Sequence, residues 1–177
     1  MRLFVGLVLP WELRARLSEL CTGLPGARWV PPENFHLTLR FLGEVAPNQA
    51  EDIDLALAAL RGRKVLLELS GVGTVNRAGR EVAVWAGVAR NPGLEHLQAK
   101  VETAMQRAGL TPEKRRFMPH VTLARLDNVV EAKLAAYLQA HNLFRFGPVE
   151  IDHLTLFSSQ LGKEASVYTA EVHYSLT

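Results

Sequence analysis

The chain has 177 residues, 48% hydrophobic and 21% charged, the composition of an ordinary globular domain with material for one substantial core. A formal net charge of +2 excludes wholesale wrapping by nucleic acid and leaves room only for a local basic groove. Cys21 is the only cysteine, which excludes an intramolecular disulfide and a thiolate metal cluster.

Residues 2–9 carry the apolar run Leu3 to Leu9 and read as a buried strand. The run is too short to span a membrane and ends at Pro10 rather than at a small-residue cleavage site, so the cytoplasm is the expected location. After Trp11, the residues Leu13, Leu17, Leu20 and Cys21 recur at helical spacing, with Cys21 as a small buried residue. Gly23 and Pro25-Gly26 stop that helix. Trp29-Val30 is a short extended piece, and Pro31-Pro32-Glu33-Asn34 is a loop, because tandem prolines favour extended backbone and exclude helix.

A strand over 35–42 and a turn at 43–48 follow. Ile53, Ala56, Leu57 and Leu60 place a helix over 48–60, entered through Pro47-Asn48. Strands at 64–72 and 81–89 are joined by the turn residues 76–80. Leu94, Leu97, Val101, Met105 and Ala108 define a helix ended by Gly109. The basic connector Lys114-Arg115-Arg116 leads to a strand at 120–126. Val130, Leu134, Tyr137, Leu138 and His141 mark a helix over 128–142, and strands near 148–158 and 166–175 close the chain. This order predicts an α+β fold with antiparallel sheets rather than a doubly wound parallel sheet. Each half runs through a helix, a proline-bearing loop, a strand, a second helix and two further strands. The repeat predicts one domain, 1–177, with two lobes, a central groove between their sheets and helices outside.

His-x-Thr-Leu occurs three times, as His36-Leu37-Thr38-Leu39, His120-Val121-Thr122-Leu123 and His153-Leu154-Thr155-Leu156. Residues i and i+2 of a strand share a face, so each copy sets an imidazole beside a hydroxyl with two apolar residues behind them. Imidazole titrates nearest neutrality of all side chains, so one ring can be neutral while its partner is protonated. In-line attack at a phosphate needs a base on the attacking oxygen and an acid on the departing one. These stand on opposite sides of phosphorus, and one motif strand from each lobe can deliver them. The threonine hydroxyls can donate to the non-bridging oxygens. No carboxylate or second histidine stands at i+2 or i+4 of the first two copies to build a zinc site, so neither metal nor cofactor is expected. No Gly-x-Ser-x-Gly elbow is present, and no Gly-Lys-Ser or Gly-Lys-Thr follows Gly71 and Gly73.

His36 follows a proline-rich loop and His120 follows Pro119, so both stand near a strand start, where a side chain can face a cleft rim. With Thr38 and Thr122 they are the candidate catalytic set. His153 lies inside an extended run beside Asp152 and is expected on a sheet face away from the site. His96, His141 and His173 are expected to be solvated or structural, His141 near a helix end where a cation is favoured. Arg40 shares the parity of His36 and Thr38 and could reach the groove as a phosphate ligand; the alternative is a solvated sheet-edge arginine. Phe41 has the parity of Leu37 and Leu39, which favours the core, and Trp29 and Trp85 are also expected there.

The stretches Trp29 to Val45, with His36-Leu37-Thr38-Leu39-Arg40-Phe41-Leu42-Gly43, and Arg116 to Arg125, with Pro119-His120-Val121-Thr122-Leu123, resemble the two signatures of the two-histidine phosphoesterase superfamily. The branch they most resemble is the bacterial and archaeal RNA 2′,3′-cyclic phosphodiesterases, also called 2′-5′ RNA ligase-like proteins. Arg2 to Leu7 at the beginning, and Leu156, Ser158 or Ser159 and Tyr168 near the end, extend the likeness over essentially the whole chain. The resemblance implies a bilobal α+β fold and metal-independent hydrolysis of a terminal RNA 2′,3′-cyclic phosphate to a 2′-phosphate. It implies His36 as general acid on the leaving 3′-oxygen, His120 as general base on water, Thr38 and Thr122 as phosphate-holding hydroxyls and Arg125 as a phosphate ligand. Strict alternation from His120 puts Arg125 on the opposite face, so that role requires a bulge or a strand end to turn it inward. The expected partner is RNA with a cyclic phosphate end or a small cyclic phosphate nucleotide, bound by a monomer, with Lys114, Arg115 and Arg116 able to steer its phosphates. Reversible 2′-5′ ligation, cyclic-nucleotide hydrolysis and RNA binding without turnover are the alternatives.

Overall fold

A computed structural model describes residues 1–163 and 165–177. In chain order the elements are β1 (Arg2–Val8), α1 (Trp11–Ser18), β2 (Ala27–Trp29), a 3₁₀ turn (Pro32–Asn34), β3 (His36–Glu44), α2 (Pro47–Ala59), β4 (Val65–Arg77), β5 (Arg80–Val88), α3 (Pro92–Arg107), β6 (His120–Leu126), α4 (Glu131–His141), β7 (Arg145–Ile151), β8 (His153–Leu161) and β9 (Ser166–Ser175). The strands form a four-stranded sheet, β3-β1-β8-β9, and a five-stranded sheet, β2-β6-β5-β4-β7. Every ladder is antiparallel, and the α+β class read from the sequence holds.

The sequence repeat is realised with an exchange. The two strands that follow the first motif strand, β4 and β5, join the sheet of the second, and β8 and β9 join β1 and β3. Each sheet therefore draws on both halves of the chain. The long extended run near the C-terminus is two strands: β7 pairs with β4, β8 pairs with β1, and the chain changes sheet at Asp152. The prolines at 31 and 32 also behave differently from the loop expected. Pro32 opens a single 3₁₀ turn, closed by Asn34 N–H donating to the Pro31 carbonyl at 2.8 Å. A first-turn proline loses nothing there, because its missing N–H has no helical acceptor.

Leu7, Leu37 and Leu154 are fully buried, each contributing about 1.5–3 kcal/mol through removal from water. Tyr174 pairs with Leu154 and so shares its face, and its hydroxyl donates to Asp54 of α2 at 2.6 Å. That face of the four-stranded sheet is thus the helix-covered one, and the opposite face carries the motif histidine of β3. In the other sheet's half, Tyr137 of α4 donates to the Leu20 carbonyl at 2.7 Å, just beyond α1. Among the described residues no helix is long and apolar enough to cross a membrane.

β1 approaches β3 closely at Gly6, where a Cβ would stand 2.7 Å from the Leu37 carbonyl oxygen. The backbone must shift to admit any side chain. Gly6→Ala should destabilise the fold by about 1–3 kcal/mol, the usual cost of overpacking, read as a lower urea midpoint. An unchanged midpoint would show that the sheet relaxes freely there.

Candidate active site

The motif strands share a defect. In β3, Gly6 faces Thr38 and Val5 faces Arg40, so Leu39 has no partner across the ladder. In β6, Trp85 faces Thr122 and Val84 faces Ala124, so Leu123 has none. The bulge falls on the same position of His-x-Thr-Leu in both strands. A bulge reverses the alternation beyond it. Two consecutive residues then turn inward: Leu39 with Arg40, and Leu123 with Ala124, all buried. The next residue in each strand returns to the histidine face. These are Phe41 and Arg125, both exposed.

The sequence expectations divide accordingly. Arg125 is turned toward the His120 face, as its proposed role required, and makes no side-chain hydrogen bond or ion pair among the described residues. Arg40 is corrected. It is 7% exposed, and its Nε donates to Glu102 of α3 at 2.8 Å. Its other nitrogens donate to the carbonyls of Phe41 at 2.7 Å and Thr111 at 2.6 Å. Burial pushes the Glu102 carboxyl up, but Arg40, the Glu113 N–H and Gln106 together hold it below the usual range. This guanidinium closes α3 onto β3 and faces away from the cleft. Phe41, expected in the core, is 64% exposed with its ring 6.0 Å from Phe4. Trp85, also expected in the core, pairs with Thr122 on the His120 face, lies over Gly73 and stands 6.3 Å from the His120 ring. Trp29 does pack on the core, 5.8 Å from Tyr137.

The two imidazoles are held alike. His36 Nδ1 donates to the Asn34 carbonyl and His120 Nδ1 to the Met118 carbonyl, each at 2.7 Å and each two residues upstream. A carbonyl only accepts, so Nδ1 carries hydrogen and the neutral ring presents an Nε2 lone pair. His36 Nε2 lies 3.0 Å from Thr38 Oγ1, so there the hydroxyl is the donor. His120 Nε2 has no partner among the described residues. Thr122 is half-buried on the same face.

Their surroundings differ. His36 is packed among Phe4 at 4.9 Å, Tyr168 at 5.0 Å edge-on and Phe157 at 5.9 Å, whereas His120 is exposed. Burial pushes the pKa of His36 down. The Asn34 carbonyl opposes this, the like charge of His120 adds to it, and the net shift is downward. That coupling brings both rings into one electrostatic neighbourhood, consistent with β3 and β6 being spatial neighbours.

The remaining candidates lie elsewhere. His96 is exposed on α3, and His141 sits in the last turn of α4 against Tyr137. Lys114, Arg115 and Arg116 are exposed just upstream of β6. The Cys21 thiol is pushed up to about 11 by burial, which makes it a poor nucleophile.

The profile of the LigT-like phosphoesterases matches residues 8–85 and 87–168, spanning both motif strands. The chain belongs to that family. It is 37% identical over 157 residues to an RNA 2′,3′-cyclic phosphodiesterase of Aeropyrum pernix, covering 88% of this chain and 89% of that one. Its identity to the Escherichia coli K12 protein of the same name is 29% over 181 residues, covering 99% and 97%. The structure of E. coli LigT complexed with 3′-AMP superposes with a TM-score of 0.79 at 28% identity, covering 99% of this chain and 98% of that one. This chain is accordingly a phosphoesterase, and the cleft faces of β3 and β6 carry its candidate reacting groups.

Two measurements check this geometry. Arg40→Met should lower stability by about 3 kcal/mol or more by stranding Glu102, while activity per folded molecule persists. Lost turnover at unchanged stability would return Arg40 to the phosphate site. In a histidine NMR titration, His36 should titrate below the ordinary imidazole value, and His120→Ala should move it partway back up, since burial remains. No change on removing His120 would uncouple the pair.

Proposed function

We propose that the protein hydrolyses RNA 2′,3′-cyclic phosphate ends to 2′-phosphomonoesters without a metal, using His36 and His120 as acid and base. The observation that carries the reading is the matched presentation of two Nε2 atoms from identically bulged strands, each ring fixed through Nδ1 by its own chain. The family and its named relatives support the substrate class.

His120, open to solvent, takes the proton of an attacking water through Nε2. Phosphorus gains that oxygen and loses the bond to the 3′-oxygen, which His36 protonates through its own Nε2. Thr38 and Thr122 donate to the non-bridging oxygens, and the Arg125 guanidinium balances charge that grows on them. Burial makes His36 a ready proton donor once a phosphate anion beside it favours the imidazolium. Phe41 and Tyr168 on one side and Trp85 on the other offer ring faces to the base and ribose. Among the described residues no group of three or more histidine, cysteine or acidic side chains is placed to hold a metal.

The test is an RNA oligonucleotide ending in a 2′,3′-cyclic phosphate, incubated with protein dialysed against chelator. A 2′-phosphate end should form, and His36→Ala and His120→Ala should each slow it by about 10²–10⁴. An intact cyclic ester, or a 3′-phosphate product, would contradict the proposal.

A further inference from the structure

The third His-x-Thr-Leu copy has no part in that reaction, yet the sheet sets it in register with the first. β3 and β8 flank β1, and Gly6 pairs with Thr38 across one ladder and with Thr155 across the other. Both flanking strands run antiparallel to β1, so His36 and His153 each lie two residues farther toward the same end of the sheet. Directly opposed residues share a face, so the two His-Thr pairs stand on one side of the sheet with Leu37 and Leu154 buried on the other. Two strand spacings, about 10 Å, separate them. β9 adds His173 opposite Thr155 and Ser175 opposite His153.

This second cluster is ordered in its own right. His153 Nδ1 bonds Asp152 Oδ1 at 2.7 Å, and His173 Nδ1 bonds Thr155 Oγ1 at 2.8 Å. The rings meet edge-on at 4.9 Å. Each ring spends Nδ1 on a partner, and neither Nε2 has one among the described residues. A cavity of about 540 Å³ opens there, lined by Lys64, Asp152, His153, His173, Ser175 and Leu176. The Lys64 ammonium reaches Glu150 only at 3.9 Å, with both side chains about half exposed. The Asp152 carboxylate is committed to His153. What remains for a ligand is an ammonium, a hydroxyl and two imidazole Nε2 atoms, a donor set for phosphate when His153 is the imidazolium paired with Asp152 and His173 Nδ1 accepts from Thr155.

We propose that this cavity is a second phosphate subsite, which takes the 5′-phosphate of the nucleotide whose cyclic ester lies between His36 and His120. The assignment rests on the cyclic phosphodiester reading above. Lys64 and protonated His153 supply the charge, and His173 and Ser175 supply further donors. A terminal nucleotide is thereby gripped at both of its phosphates, and a 5′-phosphorylated or chain-linked nucleotide is preferred to a nucleoside cyclic phosphate.

Two arms separate failure of the subsite from failure of the catalytic reading. In the first, inorganic phosphate is titrated into protein carrying nitrogen-15 histidine. The Nε2 signals of His153 and His173 should shift saturably, and Lys64→Gln should weaken that response while leaving those of His36 and His120. Static His153 and His173 signals overturn the subsite whatever the enzyme hydrolyses. In the second, a nucleoside 2′,3′-cyclic phosphate is compared with its 5′-phosphorylated form. The 5′-phosphate should lower KM about fivefold, the scale of one exposed ion pair. Lys64→Gln and His153→Gln should each erase that advantage and leave turnover of the unphosphorylated substrate unchanged. Equal KM values in the wild type, or an advantage kept by both variants, overturns the proposal. Hydrolysis of neither substrate overturns the nucleotide assignment together with the catalytic reading, and the first arm then decides whether an anion site stands.

Discussion

Two leucines without ladder partners decide which side chains the cleft receives. Leu39 and Leu123 are buried, and so are their successors Arg40 and Ala124. Two consecutive inward residues cannot be met by regular alternation, so each strand must bulge. Burial of a leucine contributes about 1.5–3 kcal/mol, enough to hold that register against slippage. The chemistry follows from the packing. With the bulge in place, His36, Thr38 and Phe41 share one face of β3, and His120, Thr122 and Arg125 share one face of β6. Remove it, and Arg125 turns toward the core while Arg40 leaves Glu102 for solvent.

The same motif placed in two environments gives two different imidazoles. Both rings are fixed through Nδ1 by a carbonyl two residues upstream. His36 is enclosed by Phe4, Phe157 and Tyr168, and burial favours its uncharged form; His120 stands open to water. What packs against each ring sets how readily it holds a proton, and that difference underlies the acid and base roles proposed for the pair. Tyr168 comes from β9 and Phe157 from β8, so the strand exchange between the halves of the chain is what encloses the first histidine.

Much of this was legible in the chain. The apolar run of β1, the helical spacing of α3 and the paired motifs all report local periodicity, and His36, Thr38, His120 and Thr122 fall where that periodicity puts them. The two misplaced residues of β3 share one cause, strict alternation carried past a bulge. It sent Arg40 to the cleft and Phe41 to the core, the reverse of where they lie. The signal was present in β6, where Leu123-Ala124 places two apolar residues in succession. In β3 the same signal was hidden, because the inward residue after Leu39 is an arginine whose partner, Glu102, lies on a helix far along the chain. The change of sheet at Asp152 left no turn residues to mark it. The register of the third motif copy depends on both ladders of β1, and pairing between distant strands is not a property of local sequence.

In the proposed reaction two imidazoles act on one phosphorus from opposite sides, one charged and one neutral. The pH dependence of kcat/KM for a cyclic phosphate end tests it most directly. The wild type should give a bell. The alkaline limb belongs to protonated His36 and the acid limb to neutral His120, so His36→Ala should lose the first limb and His120→Ala the second. A variant that keeps both limbs would show that its histidine carries no proton in the reaction.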